Sequence, residues 1–162
     1  MNKKVIACLV IIAFLIVAVV GIKYKISKTN PPNDTMSTRF EKTIELLTSK
    51  DLIGEEDVKT KEELEQAFKL ESIGEYEGVW ITNNNKSNYQ EIALIVPKDE
   101  SMNDNILLHM IKRYEAIKAE YPSEWYLREP KNTCFKNQNG VSIFIVSNKA
   151  EEIYNTITSE DI

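Results

Sequence analysis

Apolar residues recur with a helical period in four stretches after residue 37. The predicted helices cover residues 38–49, a short stretch after residue 60, residues 101–121 and residues 150–157. The first two each open on a Thr-x-x-Glu capping box, formed by Thr38 with Glu41 and by Thr60 with Glu63. The third is the clearest helix, ends before Pro122 and carries apolar side chains on one face: Leu107, Met110, Ile111, Tyr114 and Ile117.

Between these helices the apolar positions alternate with the period of β-strands. Residues 77–82 and 90–96 are predicted strands joined by a polar turn, and residues 132–136 and 140–147 form a second predicted hairpin with an Asn-Gln-Asn-Gly turn. Residues 92–96 are apolar on both faces, which is typical of a central strand.

Two hairpins, each followed by a helix, predict an α+β fold. We expect an antiparallel sheet of about four strands with helices packed on one face. Residues 38–162 are long enough for a single domain with one core.

The chain begins with a short tail, residues 1–4, and a run of 18 uncharged residues from Val5 through Phe14 to Ile22. As a helix this run would span ~27 Å, close to the ~30 Å hydrocarbon core of a bilayer. It therefore predicts a transmembrane anchor or uncleaved signal. The following tether, residues 23–37, is basic at its start and contains paired prolines.

Two alternatives to a retained anchor remain open. A lipoprotein signal ending at Cys8 would have too short an apolar stretch before it, and a cleaved signal would want a small-residue cleavage site, which Val19-Val20-Gly21 matches poorly. Lysines flank the run on both sides, so the positive-inside rule nearly cancels. Because a short tail followed by an apolar helix resembles an uncleaved signal, we expect the domain to lie outside the membrane.

Charge is unevenly distributed along the chain. Residues 1–28 contain five lysines and no acidic residue, whereas residues 29–162 contain 15 basic and 25 acidic residues, a net charge of −10. An acidic domain repels phosphate backbones, and no basic stripe with interleaved aromatic residues offsets that repulsion. Nucleic-acid binding is therefore disfavoured.

Candidate chemistry is sparse. His109 is the only histidine and is expected to face solvent, and Cys134 is expected to be a buried structural cysteine in a strand. Nine acidic residues between positions 55 and 77 suggest a calcium site, but no Asp-x-Asp-x-Asp-Gly loop is present, and solvated helix faces explain them more simply. We assign no catalytic residue, metal ligand or cofactor, and expect a protein that is not an enzyme.

The densest aromatic cluster lies just after the clearest helix. Five residues there are candidates for ligand or partner contact: Tyr121, Glu124, Trp125, Tyr126 and Arg128. The alternative is that these rings cover the helix end and close the core. Glu120 with Glu124 could also form the paired carboxylates of a glycosidase, which requires a separation that sequence does not supply.

Three stretches resemble a known bacterial family: Glu91-Ile92-Ala93-Leu94, Tyr121-Pro122-Ser123-Glu124, and Gly140 to Ser147 followed by Asn148 and Ala150. The chain resembles domain of unknown function 4358 over roughly residues 44–157. That family comprises small secreted lipoproteins or membrane-anchored proteins of Gram-positive bacteria, often clostridial. The resemblance implies an exported α+β domain and no catalytic or binding residues, although the lipobox frequent in the family is missing here.

Together these observations favour a single-pass membrane protein whose extracytoplasmic domain binds an envelope component or a protein partner without catalysis. Two alternatives stay open: a cell-wall-directed hydrolase that uses paired carboxylates, and an anchored domain that faces the cytoplasm.

Overall fold

The computed structural model describes residues 36–54, 58–83 and 89–159. The predicted tail, the anchor with Val5, Phe14 and Ile22, and nearly all of the tether lie outside these residues. In chain order the helices and strands are α1 (Met36–Ser49), β1 (Val58–Lys59), α2 (Lys61–Phe68), β2 (Tyr76–Asn83), β3 (Gln90–Pro97), α3 (Asn103–Glu120), β4 (Thr133–Gln138), β5 (Val141–Val146) and α4 (Ala150–Ser159). The order of elements follows the prediction, and the fold class is α+β.

One of the two predicted capping boxes is confirmed. The Thr60 hydroxyl accepts a hydrogen bond from the Glu63 backbone N–H at 3.3 Å, and the Glu63 carboxylate accepts one from the Thr60 N–H at 2.8 Å. Helix α2 therefore begins where its sequence predicts. The other predicted capping box, of Thr38 with Glu41, is wrong, because α1 already begins at Met36 and Thr38 lies inside its first turn.

The sheet has five strands in the order β1-β2-β3-β5-β4, and every neighbouring pair is antiparallel. The expectation of about four strands omitted β1, a two-residue strand in which Val58 pairs with Ile81 and Lys59 with Trp80. So short a strand has no periodicity of its own, and only pairing with β2 defines it. The prediction that β3 is central is confirmed.

Helices cover both faces of the sheet, so the expectation of helices on one face is wrong. Ala93 and Ile95 of β3 pack with buried residues of α2 and α3, whereas Ile92 and Leu94 pack with buried residues of α1 and α4. Successive side chains of a strand point to opposite faces, so each face of β3 has its own apolar layer. The result is a sheet between two pairs of helices.

One position of β2 determines how closely α2 packs on the sheet. Gly78 of β2 allows the close approach of α2, because a Cβ at this position would lie 2.8 Å from Leu64 Cδ2 and 3.1 Å from the Leu94 carbonyl oxygen.

Helix α3 buries Ile106, Met110 and Ile117. Ile111, predicted to lie on the same apolar face, is instead 47% exposed.

The predicted turn between β4 and β5 is confirmed, and it yields a testable expectation. Asn139 and Gly140 have φ angles of 53° and 82°, as in the two central residues of a type I′ hairpin turn. Replacing Gly140 with alanine is expected to lower the free energy of unfolding by about 1 kcal/mol, because an L-residue is strained at positive φ. Urea unfolding measures the change. Asn139→Gly is the matched control and is expected to be neutral or slightly stabilising.

Candidate functional site

The most buried charged group described is the carboxylate of Glu91, near the start of β3. The Glu91 side chain is completely inaccessible to solvent. Arg113 of α3 binds it in a bidentate manner, with Nε 2.8 Å from Oε1 and an Nη nitrogen 2.9 Å from Oε2. Because β3 is central and α3 crosses the same face, this ion pair joins the sheet to its longest helix.

Two tyrosines extend this ion pair. The Tyr89 hydroxyl donates a hydrogen bond to Oε2 of Glu91, and the Tyr89 ring packs on Tyr121 with 4.8 Å between ring centroids. Burial, and then the Glu91 charge, raises the pKa of Tyr89, which keeps its hydroxyl a donor. Burial alone would lower the pKa of Arg113, but its hydrogen bonds to Glu91 and the Glu91 charge outweigh that effect and raise it.

The Glu91 carboxylate is fully engaged by side chains of the fold. Both carboxylate oxygens of Glu91 have donors, and the Arg113 guanidinium lies 5.9 Å from the centroid of the Trp80 ring. The Trp80 indole N–H, on the same face, has no hydrogen-bond partner among the described residues. An ion pair whose carboxylate oxygens both accept hydrogen bonds from within the fold is a structural link between elements.

The five residues predicted to contact a ligand are partly used within the fold. Tyr121 is 9% exposed and belongs to the core. Arg128 donates hydrogen bonds to the carbonyl oxygens of Pro122, at 2.9 Å, and Lys118, at 3.2 Å, so it caps the C-terminal end of α3.

The remaining three residues are Glu124, Trp125 and Tyr126. Glu124 is half-buried, and the side chains of Trp125 and Tyr126 lie outside the described atoms, although the backbone of both belongs to a 3-10 helix, Trp125–Arg128. A ligand contact by these five residues stays a prediction. The two described contacts agree with the alternative that the segment closes the core.

His109 does not have the surroundings expected for it, whereas Cys134 lies on a strand, as expected, but is only half-buried. His109 is half-buried rather than solvated, and its Nδ1 lies 2.8 Å from the Phe68 carbonyl oxygen at the end of α2. Cys134 is half-buried on β4, and burial raises the pKa of its thiol, which disfavours the reactive thiolate. His109 therefore links α3 to the end of α2, and Cys134 packs against the apolar layer beneath α1 and α4.

An open groove of about 630 Å³ lies beside α4. Three parts of the chain form this groove. They are the residue that follows α1, the turn before β4, and the exposed side of α4 together with the two residues that precede that helix. Its lining residues are Lys50, Lys131, Asn132, Asn148, Lys149, Glu151, Glu152, Asn155, Thr156 and Ser159. All ten are polar, and this is the feature that sequence analysis missed. No local pattern announces it, because its residues come from three separate stretches of the chain.

Three lysines enter the groove from different elements. Lys50 Nζ lies 3.4 Å from the Thr156 hydroxyl, and Lys149 Nζ lies 3.2 Å from the Asp51 carbonyl oxygen. Lys131 instead pairs with the Glu129 carboxylate at 2.9 Å. Among the described residues, Lys50 and Lys149 therefore bind neutral oxygens and have no carboxylate within ion-pair distance.

The buried tyrosines give an expected pH dependence. Burial and the nearby Glu65 charge raise the pKa of Tyr76 to about 12, and burial also raises the pKa of Tyr89, Tyr114 and Tyr121. An unfolded tyrosine ionises near pH ~10, so these groups stabilise the fold fully below that pH and lose their contribution as pH rises further. Ultraviolet difference titration is expected to show delayed ionisation of the native chain relative to the chain in guanidinium chloride. Coincident titrations would contradict this.

Comparison of the chain with family models, curated proteins and solved structures finds no match. The resemblance to domain of unknown function 4358 therefore stays a prediction. No helix within the described ranges is long and apolar enough to cross a membrane, and these ranges contain no group of three potential metal-ligating side chains.

Proposed function

We propose that this chain is a single-pass membrane protein whose extracytoplasmic α+β domain is a non-enzymatic binding module of the cell envelope. The observation that carries the binding function is the groove beside α4. It is open, about 630 Å³ in volume and lined by polar side chains, so a ligand can enter it without disturbing either apolar layer. Binding by surface contact suits a domain whose most buried charges are already satisfied.

The anchor and its orientation rest on the sequence. The uncharged run of residues 5–22 and its place directly behind a short tail support a retained signal anchor. The family resemblance supports export in the same direction.

The binding function is tested with the full-length chain in a neutral detergent and with purified Gram-positive cell walls. We expect the protein to sediment with the walls and to release no soluble sugar or peptide. The variant Glu120→Gln with Glu124→Gln is the matched control, and it should sediment equally well. Release of fragments that this variant abolishes would establish the hydrolase instead, and a chain that neither sediments nor cleaves would overturn the proposal.

Orientation is tested separately in intact cells. A single cysteine placed by Pro31→Cys in the tether, with Cys8 and Cys134 replaced by serine, is treated with a membrane-impermeant maleimide. We expect labelling before lysis. Labelling only after lysis would place the domain in the cytoplasm, where it could not bind an envelope component.

A further inference from the structure

We propose that two copies of this chain associate through the open edge of the sheet, with β4 beside β4 and the two α3 helices packed against each other. The dimer would join the two five-stranded sheets into one antiparallel sheet. This inference is independent of the groove and of the ligand that the groove binds. Three observations carry it: the unpaired backbone of β4, the exposed apolar side chains of α3, and the balance of charges around them.

The backbone of β4 has one unpaired side. The strand is the last in the sheet order, and β5 is its one neighbour among the described strands. Because Gln138 and Val141 flank the two-residue turn, hydrogen-bonded positions alternate back from Gln138, and the backbone N–H and C=O groups of Phe135 and Asn137 point away from the sheet. No backbone hydrogen bond joins these outward groups to another described residue. Such an edge is a template for a further strand.

Helix α3 presents apolar side chains on the same side of the domain. Two of the exposed large apolar side chains lie on this helix, Leu108 at 48% and Ile111 at 47%. Ile111 lies one turn before Tyr114, whose ring packs on Phe135 of β4 with 5.1 Å between ring centroids. His109, which faces the other way, contacts the end of α2. Ile111 therefore lies beside the β4 edge, with Leu108 on the adjoining outer surface.

A single two-fold axis satisfies both surfaces. An axis perpendicular to the sheet pairs β4 with its own copy in the antiparallel sense and also makes the two α3 helices antiparallel. The longest pairing of the two strands is centred on Phe135 or on Lys136. An axis at Lys136 would place two lysines directly opposite each other, which is destabilising, whereas an axis at Phe135 places Lys136 opposite Cys134 of the second copy. We therefore expect the axis at Phe135.

The contact between Tyr114 and Phe135 places this axis near Ile111 of α3, because helical side chains lean towards the N-terminus. Two copies of Ile111 then face each other across the axis. Their exposed apolar surface is removed from water, while the hydrogen-bonding groups of the strand edge are satisfied.

Charges support the packing of α3 against its own copy. The chain from residue 29 onward carries a net charge of −10, which keeps copies apart in general. Around the apolar side chains, in contrast, acidic and basic residues are balanced: Asp104, Glu115, Lys112 and Lys118. The proposed surface therefore lacks the repulsion that the rest of the domain would impose.

The order of these charges favours the antiparallel helix pair. Asp104 and Lys118 each lie seven residues from Ile111, so Asp104 of one copy meets Lys118 of the other. Among the described residues Asp104 has no ion-pair partner. Lys118 pairs with Glu115 of its own helix at 2.6 Å, and in the dimer it would lie between two carboxylates.

Self-association is tested by sedimentation velocity on the full-length chain in a density-matched polyoxyethylene detergent. We expect a monomer–dimer equilibrium with a Kd in the micromolar range, as is typical of a small interface. Ile111→Glu places two carboxylates opposite each other near the axis and is expected to weaken the dimer about a hundredfold. Ala116→Glu adds the same charge at an exposed position on the other side of α3 and should associate as the parent does.

Charge reversal tests the antiparallel helix pair. Asp104→Lys and Lys118→Asp are each expected to weaken self-association about tenfold, because each dimer then contains two like-charge contacts. An equimolar mixture of the two variants should recover most of the parent affinity, since both contacts in the mixed dimer again join opposite charges. Mixing would not restore a variant that had merely lost its structure.

The strand register is tested by disulfide formation in a chain with Cys8→Ser. Lys136→Cys would face the native Cys134 of the second copy at a non-hydrogen-bonded position, where Cα atoms lie ~4.5 Å apart. Oxidation by dissolved oxygen with copper phenanthroline is expected to give a covalent dimer. Gln138→Cys, displaced by two positions, should remain largely monomeric.

Four results would overturn the inference. They are a parent chain that is monomeric at all concentrations, a dimer that Ile111→Glu leaves intact, a mixture of the charge-reversed variants that associates no better than either alone, and equal crosslinking of the two cysteine variants. None of these results bears on cell-wall binding, which the sedimentation experiment with purified walls tests separately.

Discussion

Replacing Glu91 with alanine is expected to lower the free energy of unfolding by about 3–5 kcal/mol, a large part of the ~5–15 kcal/mol that stabilises a domain. The substitution leaves the Arg113 guanidinium partly buried without its carboxylate, and it also removes the acceptor of the Tyr89 hydroxyl. Denaturant unfolding of the full-length chain in detergent, followed by far-ultraviolet circular dichroism, measures the loss.

A second variant separates the cost of an unpaired charge from the worth of the pair. The double replacement of Glu91 by leucine and Arg113 by methionine removes both charges and is expected to be more stable than Glu91→Ala, because no charge is left buried alone. Glu115→Ala is the matched control, since it breaks an exposed pair with Lys118 and should cost at most ~1 kcal/mol. Equal losses for Glu91→Ala and Glu115→Ala would refute the role of the buried pair.

Truncating Phe144 and its neighbour Ile143 tests the two-sided core. Phe144 packs edge-on against Phe68, with 5.2 Å between ring centroids, on one face of the sheet, and Ile143 belongs to the apolar layer of the other face. Phe144→Ala is expected to cost about 3–5 kcal/mol and Ile143→Ala about 2–5 kcal/mol, from lost transfer energy and the cavity left behind.

The comparison between these two variants decides the architecture. A sheet with helices on one face would leave one of two adjacent strand residues in solvent, and its truncation would then be nearly neutral. Large losses at both positions are therefore expected only if helices cover both faces. Glu77→Ala, at an exposed position of β2, is the control and should change stability by less than ~0.5 kcal/mol.

Much of the fold was predictable because its signals are local. The capping box of Thr60 and Glu63 and the Asn139-Gly140 turn each involve residues within one turn of chain. The apolar alternation on both sides of β3 also identified a central strand. The same alternation contained the evidence for two helical layers, since a strand apolar on both faces needs cover on both.

The candidate site was less predictable for a physical reason. Lys50, Lys131 and Lys149 are ordinary exposed lysines in sequence, and they converge only because α1, the turn before β4 and the start of α4 meet at one place. The aromatic cluster near Tyr121 was conspicuous in sequence, yet its described members Tyr121 and Arg128 are engaged by the fold itself. Residue type alone does not distinguish a ring that binds a ligand from a ring that closes a core.

The sequence alone therefore determined the type and order of the main helices and strands, the acidic character of the domain and the central place of β3, because periodicity, capping and turn chemistry act between near neighbours. Tertiary structure alone decided which pair of helices covers each face, that β1 exists, that Glu91 meets Arg113 and that three lysines share a groove. Each of these depends on contacts between residues far apart in the chain, and the gain from burying apolar surface on both sides of the sheet selects the arrangement that brings them together.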